Sequence, residues 1–206
     1  MLDLPPLDPG IEVSVASHGM SKGVSQTEGP QLVVKPSVGL GPVQFAVQWK
    51  NVTSPVADGE GALSASVSPK LGGFQLGFGV AHKFQTVVRE PTDDHSWEFS
   101  GNISRKFGRM SLRFQAIYSP DDLGSAGRSI YLEGGPTFDL NKTIRLSANI
   151  GHRSRVDGDD YTSFNAGVMK TLFKGVTVEA RWYDTNRSDL GENYRGRAVI
   201  AARMAF

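Results

Sequence analysis

The chain has 206 residues, no cysteine and a formal net charge of +1. These values exclude disulfide bonds and thiolate metal sites, and they give no overall field that would attract nucleic acid. No apolar run approaches the roughly 18 residues of a membrane-spanning helix, although a β-barrel escapes that test because half of each strand is polar. The 24 glycines suit turns and close strand packing better than helices.

The chain begins with a segment rich in proline and aspartate. Residues 1–9 are therefore predicted to form a flexible N-terminal tail, followed by a single domain over residues 10–206. From residue 11 onward, apolar and polar residues alternate with a period of two, which predicts β-strands. About twelve such segments follow one another, each roughly ten residues long, which is the length of a tilted strand that crosses a bilayer.

The connections between these segments alternate between short and long. Gly41–Pro42 and Gly72–Gly73 are short turns, whereas residues 19–30 and 119–128 form longer polar loops. This asymmetry predicts an all-β fold, namely an antiparallel up-and-down transmembrane β-barrel of about 12 strands with short periplasmic turns and longer extracellular loops. A soluble sandwich or barrel is the alternative, and it gives no reason for the asymmetry.

Three prolines fit less simply into this pattern. Pro36, Pro69 and Pro136 fall inside predicted strands, where each removes a donor from the hydrogen-bond ladder. Bulges at these positions or a shifted strand register are both compatible with the sequence.

Aromatic residues gather at both ends of the predicted strands. Those at the long-loop ends include Trp49, Trp97, Tyr118, Trp182 and Tyr194. Those at the short-turn ends are Phe74, Phe107, Phe138, Phe173 and Phe206. Two such girdles are expected where a barrel meets two membrane interfaces, because amphipathic rings are stabilised at the level of the lipid headgroups. Aromatic residues also end strands in soluble β-proteins, which remains the alternative.

The polar face of the strands carries an excess of basic residues. The side chains predicted to line a pore are Lys35, Lys50, Lys83, Glu98, Arg113, Glu133, Arg145, Glu179, Arg181, Arg197 and Arg203. In a water-filled lumen, this excess would favour anions. Alternatively, the same charges pair across neighbouring strands and fill a closed interior.

No pattern of catalytic or metal-binding residues stands out. His82 and His95 flank one loop, but their spacing matches no known set of metal ligands. Ser154 beside His152 supplies the residue types of a hydrolase without any recognisable motif. We therefore predict that the protein is not an enzyme and uses neither a metal nor a cofactor.

Three stretches resemble the TorF-like family of porins from proteobacteria. They are S-K-G-V-S-Q-T-E-G at 21–29, Y-S-P-D-D-L-G at 118–124, and the run from D-Y-T-S-F-N to W-Y-D-T at 160–185. Together with the terminal Phe206, the resemblance covers nearly the whole chain. Lys22 stands where that family often has arginine, which preserves the charge but not the bidentate geometry. The resemblance implies an outer-membrane barrel and a passive channel, without catalytic residues.

These observations lead to two main hypotheses and a third, less favoured one, a lipid-modifying enzyme, which would require a serine or histidine dyad at hydrogen-bond distance with an oxyanion donor nearby. The first is a monomeric barrel in the outer membrane of a Gram-negative bacterium, through which small solutes or ions diffuse with a mild preference for anions. The second is a closed barrel that acts through its extracellular loops as a receptor, adhesin or structural anchor. The expected partners are outer-membrane lipid and lipopolysaccharide, the barrel-assembly machinery during insertion, and small solutes, but no nucleic acid.

Overall fold

A computed structural model describes residues 5–89, 95–123 and 127–206. Twelve long strands, of nine to fifteen residues each, form the fold. Their bounds are β1 (Leu7–Ala16), β2 (Gln31–Leu40), β3 (Val43–Asn51), β4 (Ala57–Val67), β5 (Phe74–Val88), β6 (His95–Phe107), β7 (Met110–Asp122), β8 (Gly127–Asp139), β9 (Ile144–Arg155), β10 (Tyr161–Phe173), β11 (Val176–Thr185) and β12 (Arg197–Ala205).

Each strand pairs antiparallel with its neighbours in the sequence, and the sheet closes on itself. The closing pair is β1 with β12, in which Glu12 lies opposite Ala205 and Ala16 lies opposite Ala201. The predicted antiparallel up-and-down barrel of about twelve strands is confirmed. Closure leaves no long strand with an unpaired edge among the residues described.

The remaining elements are short. Met20–Ser21 pairs with Val24–Ser25 in a small hairpin, and Lys70–Leu71 extends the turn before β5. Two 3₁₀ turns, Ser188–Leu190 and Glu192–Tyr194, lie in the connection between β11 and β12. No helix in the described ranges is long and apolar enough to cross a membrane.

The polarity of the barrel is the reverse of that in a soluble protein. Large apolar side chains such as Phe78, Phe114 and Ile150 are about half exposed on the outer face, because the period of two turns every second residue outward. The buried side chains include Lys50 and Glu60, together with many serines and threonines. A continuous apolar exterior around a polar interior is the pattern of a barrel surrounded by lipid.

Two of the three prolines lie inside strands. The β2–β3 ladder skips Lys35 and Pro36, and the β8–β9 ladder skips Gly135 and Pro136. On its other side each proline stays in register, opposite Ile11 or Leu112. One interrupted ladder therefore accommodates each missing donor.

Three predictions about element boundaries are corrected. Pro69 lies in the turn after β4 and not in a strand, and β1 begins at Leu7, earlier than the predicted start of the barrel at residue 10. Leu7 pairs with Leu40 on β2, and this pairing orders the last three residues of the predicted tail. The predicted loop 119–128 is also shorter, because β7 continues to Asp122; residues 124–126 of that loop lie outside the described residues.

Candidate functional site

The loop between β1 and β2 folds into the barrel instead of outward. Its Met20–Ser21 and Val24–Ser25 segments pair around the two central residues Lys22 and Gly23, and we call residues 20–25 the lumenal hairpin. Lys22 has a φ of +49° and Gly23 one of +84°, which are the positive values that tight two-residue hairpin turns require. A Cβ added at Gly23 would lie 2.2 Å from Ser163 Cβ on β10, so glycine also permits the close approach.

The tip of the lumenal hairpin reaches the far wall of the barrel. Lys22 Nζ lies 2.5 Å from a Glu98 carboxylate oxygen on β6 and 3.3 Å from one of Asp122 on β7. β7 is halfway round the twelve-stranded barrel from β1, where the loop begins. The Tyr161 hydroxyl of β10 donates a hydrogen bond of 2.8 Å to the Lys22 carbonyl. The hairpin therefore crosses the lumen and is fixed by side-chain and backbone contacts.

The base of the hairpin is fixed separately. Gly19 N–H donates to the Thr27 hydroxyl at 2.7 Å, and the Lys50 ammonium donates to the Gln26 side-chain oxygen at 2.6 Å. Thr53 N–H, in the next long loop, donates to the Gln26 carbonyl at 2.8 Å. These bonds satisfy backbone and side-chain polar groups at the base of the hairpin, as burial requires, whereas the buried Nδ1 of His18, earlier in the same loop, has no partner among the described residues.

A continuous series of charges runs around the wall and through the hairpin tip. We call it the ion-pair chain. In spatial order it consists of Lys50, Glu60, Lys83, Glu98, Lys22, Asp122 and Arg153. Positive and negative groups alternate, with gaps of 2.5–3.6 Å for the first five links. Because these side chains are largely buried, each charge depends on its neighbours for neutralisation.

Below the hairpin, the lumen opens into a basic vestibule. It comprises two adjacent cavities of about 430 and 580 Å³, which share Arg145 and Met169 in their walls. Met20, Lys22 and Gly23 form its inner limit. Its walls carry seven basic side chains, Lys106, Arg109, Arg113, Lys142, Arg145, Arg181 and Arg203. Among the described residues, three carboxylates line the same cavities, those of Glu133, Asp139 and Glu179, and a fourth, that of Glu12, lies 3.5 Å from Arg203.

The predicted pore-lining residues fall into three groups. Lys50, Lys83 and Glu98 belong to the ion-pair chain. The walls of the vestibule include Arg113, Glu133, Arg145, Glu179, Arg181 and Arg203. Lys35 lies opposite Glu12 on β1, and Arg197 donates to the Glu192 carbonyl near the long-loop end.

The aromatic girdle residues lie mostly on the outer face. Those with side chains at least 39% exposed are Trp49, Trp97, Tyr118, Trp182, Phe107, Phe138, Phe173 and Phe206. Phe74 is half-buried and lies under the guanidinium of Arg105, 4.8 Å from the ring centre. Tyr194 is half-buried in a 3₁₀ turn, and its ring packs edge-on against Tyr161, with centroids 5.3 Å apart. Its place at the membrane interface stays a prediction.

Sequence reasoning missed four of the residues that organise the interior: Lys22, Glu60, Asp122 and Arg153. Glu60 and Arg153 occupy the same alternate positions as the inward-facing residues of β4 and β9. Extending the alternation of inward and outward residues to the ends of these strands would therefore have predicted that both point inward. Asp122 has no such signal, because an irregularity between Ser119 and Asp122 shifts the register of β7.

The side chains of Ser154 and His152, the residue types of a possible hydrolase, lie at the limit of hydrogen-bond distance. Ser154 Oγ lies 3.5 Å from His152 Nε2 but donates to the Asp160 carboxylate at 3.0 Å. The rings of His82 and His95 stack with centroids 5.2 Å apart. No group of three or more metal-ligating side chains occurs in the part of the chain that is described.

Several solved structures share this fold. The KdgM porin superposes with a TM-score of 0.67 at 10% sequence identity, over 96% of this chain and 99% of the porin. The NanC porin has a TM-score of 0.62 at 11% identity, over 95% and 97% of the two chains. The COG4313 outer membrane channel from Pseudomonas putida F1 gives 0.57 at 13% identity, over 97% and 95%. At such low identities the likeness establishes the shared barrel fold.

No curated protein matches the sequence. Residues 9–205, however, match a family described as "Bacterial protein of unknown function (Gcw_chp)". That family differs in name from the TorF-like porins, so the resemblance to the latter stays a prediction. Because the match covers nearly the whole chain, the protein belongs to the bacterial Gcw_chp family.

Proposed function

We propose that the protein is a porin-like channel of the bacterial outer membrane that passes small solutes or ions with a preference for anions. The observation that carries the proposal is the vestibule, in which seven basic side chains face four carboxylates when Glu12, the partner of Arg203, is included. An excess of fixed positive charge on the wall of a water-filled cavity raises the local concentration of anions. The fold shared with the KdgM and NanC porins agrees with this function.

The direction of the barrel follows from its connections. In outer-membrane barrels the short turns face the periplasm and the longer loops face outward. By this rule, the vestibule opens to the periplasm and the lumenal hairpin enters from the outer side. The hairpin then forms the constriction of the channel, with Lys22 at its tip in contact with Glu98 and Asp122. The structure of the KdgM porin with disordered oligogalacturonate, an anionic ligand, is compatible with an anion-conducting barrel.

Ion selectivity in a planar bilayer tests the proposal. The purified, refolded chain should give a reversal potential biased towards anions under a salt gradient. Arg113→Gln together with Arg145→Gln should reduce that bias, because both side chains line the vestibule and are about half exposed there. Arg105→Gln is the control, since it removes one positive charge from the outer face, where a general effect of charge loss would appear without any change in the vestibule. A folded barrel that never conducts, or an equal effect of both changes, would contradict the proposal.

The second candidate is the closed barrel that acts through its loops. It is favoured by the hairpin contacts and by cross-strand pairs such as Arg113–Glu133 at 3.0 Å and Lys50–Glu60 at 3.1 Å. The open volume below the hairpin favours the channel. The same recordings separate the two candidates, because a closed barrel gives no current, whereas the proposed channel conducts with its hairpin in place.

A further inference from the structure

A small pocket lies beside the lumenal hairpin, and of the residues that line it only Lys22 also borders the vestibule. Its volume is about 140 Å³, and Ser21, Lys22, Lys83, Glu60, Asp122 and Arg153 are among the residues that line it. We call it the side pocket. Three of these side chains are basic and two are acidic, so the local charge is positive.

The same imbalance holds for the whole ion-pair chain. Because positive and negative groups alternate and both end residues, Lys50 and Arg153, are basic, the chain contains four cations and three carboxylates among the described residues. Its side chains are at most 17% exposed. An unbalanced charge with so little contact to solvent is unfavourable unless a counter-charge accompanies it.

The two ends of the ion-pair chain differ. At one end, the Lys50 ammonium donates to the neutral side-chain oxygen of Gln26 at 2.6 Å. At the other end, Arg153 contacts Asp122 through one terminal nitrogen. Its Nε is buried and has no hydrogen-bond partner among the described residues. Arg153 therefore has an unused donor at the end of a chain with one surplus positive charge, and it lines the side pocket.

We propose that the side pocket binds one small monovalent anion of halide size, with Arg153 as its main ligand. Its volume is a few times the roughly 30 Å³ that a water molecule occupies in the liquid, so it admits a halide with some water but not an extended organic anion. A bound anion would make the ion-pair chain neutral. It would also stabilise the seat of the lumenal hairpin, because Lys22 belongs to both the chain and the pocket wall.

Bromide is a suitable probe, since its anomalous scattering identifies it in a crystal. Crystals of the full chain grown with sodium bromide should show an anomalous peak in the side pocket, within contact distance of Arg153. A pocket that holds only water, or an empty one, would overturn the proposal. In that case the excess charge would be removed in another way, for example by loss of a proton from a lysine.

Thermal unfolding of the detergent-solubilised barrel provides an independent readout. At constant ionic strength, replacing gluconate by bromide should raise the unfolding midpoint by about 2–4 °C at concentrations a few-fold above the dissociation constant. Arg153→Gln should abolish this rise, because it leaves three cations with three carboxylates. Arg105→Gln on the outer face is the control and should keep it. An unchanged rise in Arg153→Gln would refute the assignment, and if that variant does not fold, the crystallographic result decides.

Discussion

Lys22→Met is the change that tests the role of the lumenal hairpin most directly. The Lys22 side chain is 7% exposed and is the only link between Glu98 and Asp122 in the ion-pair chain. Removing one partner of a buried ion pair costs about 3–5 kcal/mol. The lower end of that range applies here, because Glu98 keeps Lys83 at 3.6 Å and Asp122 keeps Arg153.

If the seated position of the hairpin is destabilised by about 3 kcal/mol, the ratio of seated to released hairpins falls by about 100-fold. The channel is expected to conduct weakly past the seated hairpin and fully once the hairpin is released. Single-channel recording measures the ratio as the probability of this fully open state, here called the open probability, which should rise steeply in Lys22→Met. Lys106→Met is the control, because its ammonium is 62% exposed in a pair with Asp139. Such an exposed pair contributes about 0–1 kcal/mol. Folded Lys22→Met barrels with an unchanged open probability, or an equal response of Lys106→Met, would refute the assignment of the hairpin as the constriction.

Three further changes probe the same region and its rim. Gly23→Val should unseat the hairpin, because of its positive φ and the contact with Ser163; labelling of a cysteine introduced in the hairpin measures this. Tyr161→Phe removes one hydrogen bond to the hairpin and should raise the open probability by less than about tenfold. The Arg155 backbone N–H lowers the pKa of the Asp160 carboxyl. The rim turn should therefore loosen as pH falls below about 4, and Asp160→Asn should remove this pH dependence of hydrogen exchange at Arg155.

The outer face of the barrel could be predicted from the sequence because it depends on parity alone. Once Phe114 or Ile150 is assigned to a strand, every second neighbour shares its face, and lipid-facing positions need no specific partner. The strand count and the alternation of turns and loops follow from the same reasoning. Pro36 and Pro136 did not disturb the prediction, since each interrupts only one of its two ladders.

The interior could be predicted only in part. The parity of Arg113, Arg145 and Arg181 placed them in the lumen, but parity does not tell whether a charge meets water or another charge. Lys22 and Gly23 suggest a tight turn, yet nothing in the loop sequence indicates that the turn points inward. That direction depends on contacts with strands more than seventy residues away, such as the pair with Glu98.

The closing pair of the barrel has a consequence for the order of assembly. β1 and β12 contact each other across almost the full length of the chain, and contacts of such long separation form slowly. The lumenal hairpin follows directly after β1, so it is made before the ring can close. Once β12 has paired with β1, the hairpin is enclosed on all sides by backbone hydrogen bonds. The lumenal hairpin is therefore already present when the barrel closes, and closure of the β1–β12 pair completes the wall that surrounds it.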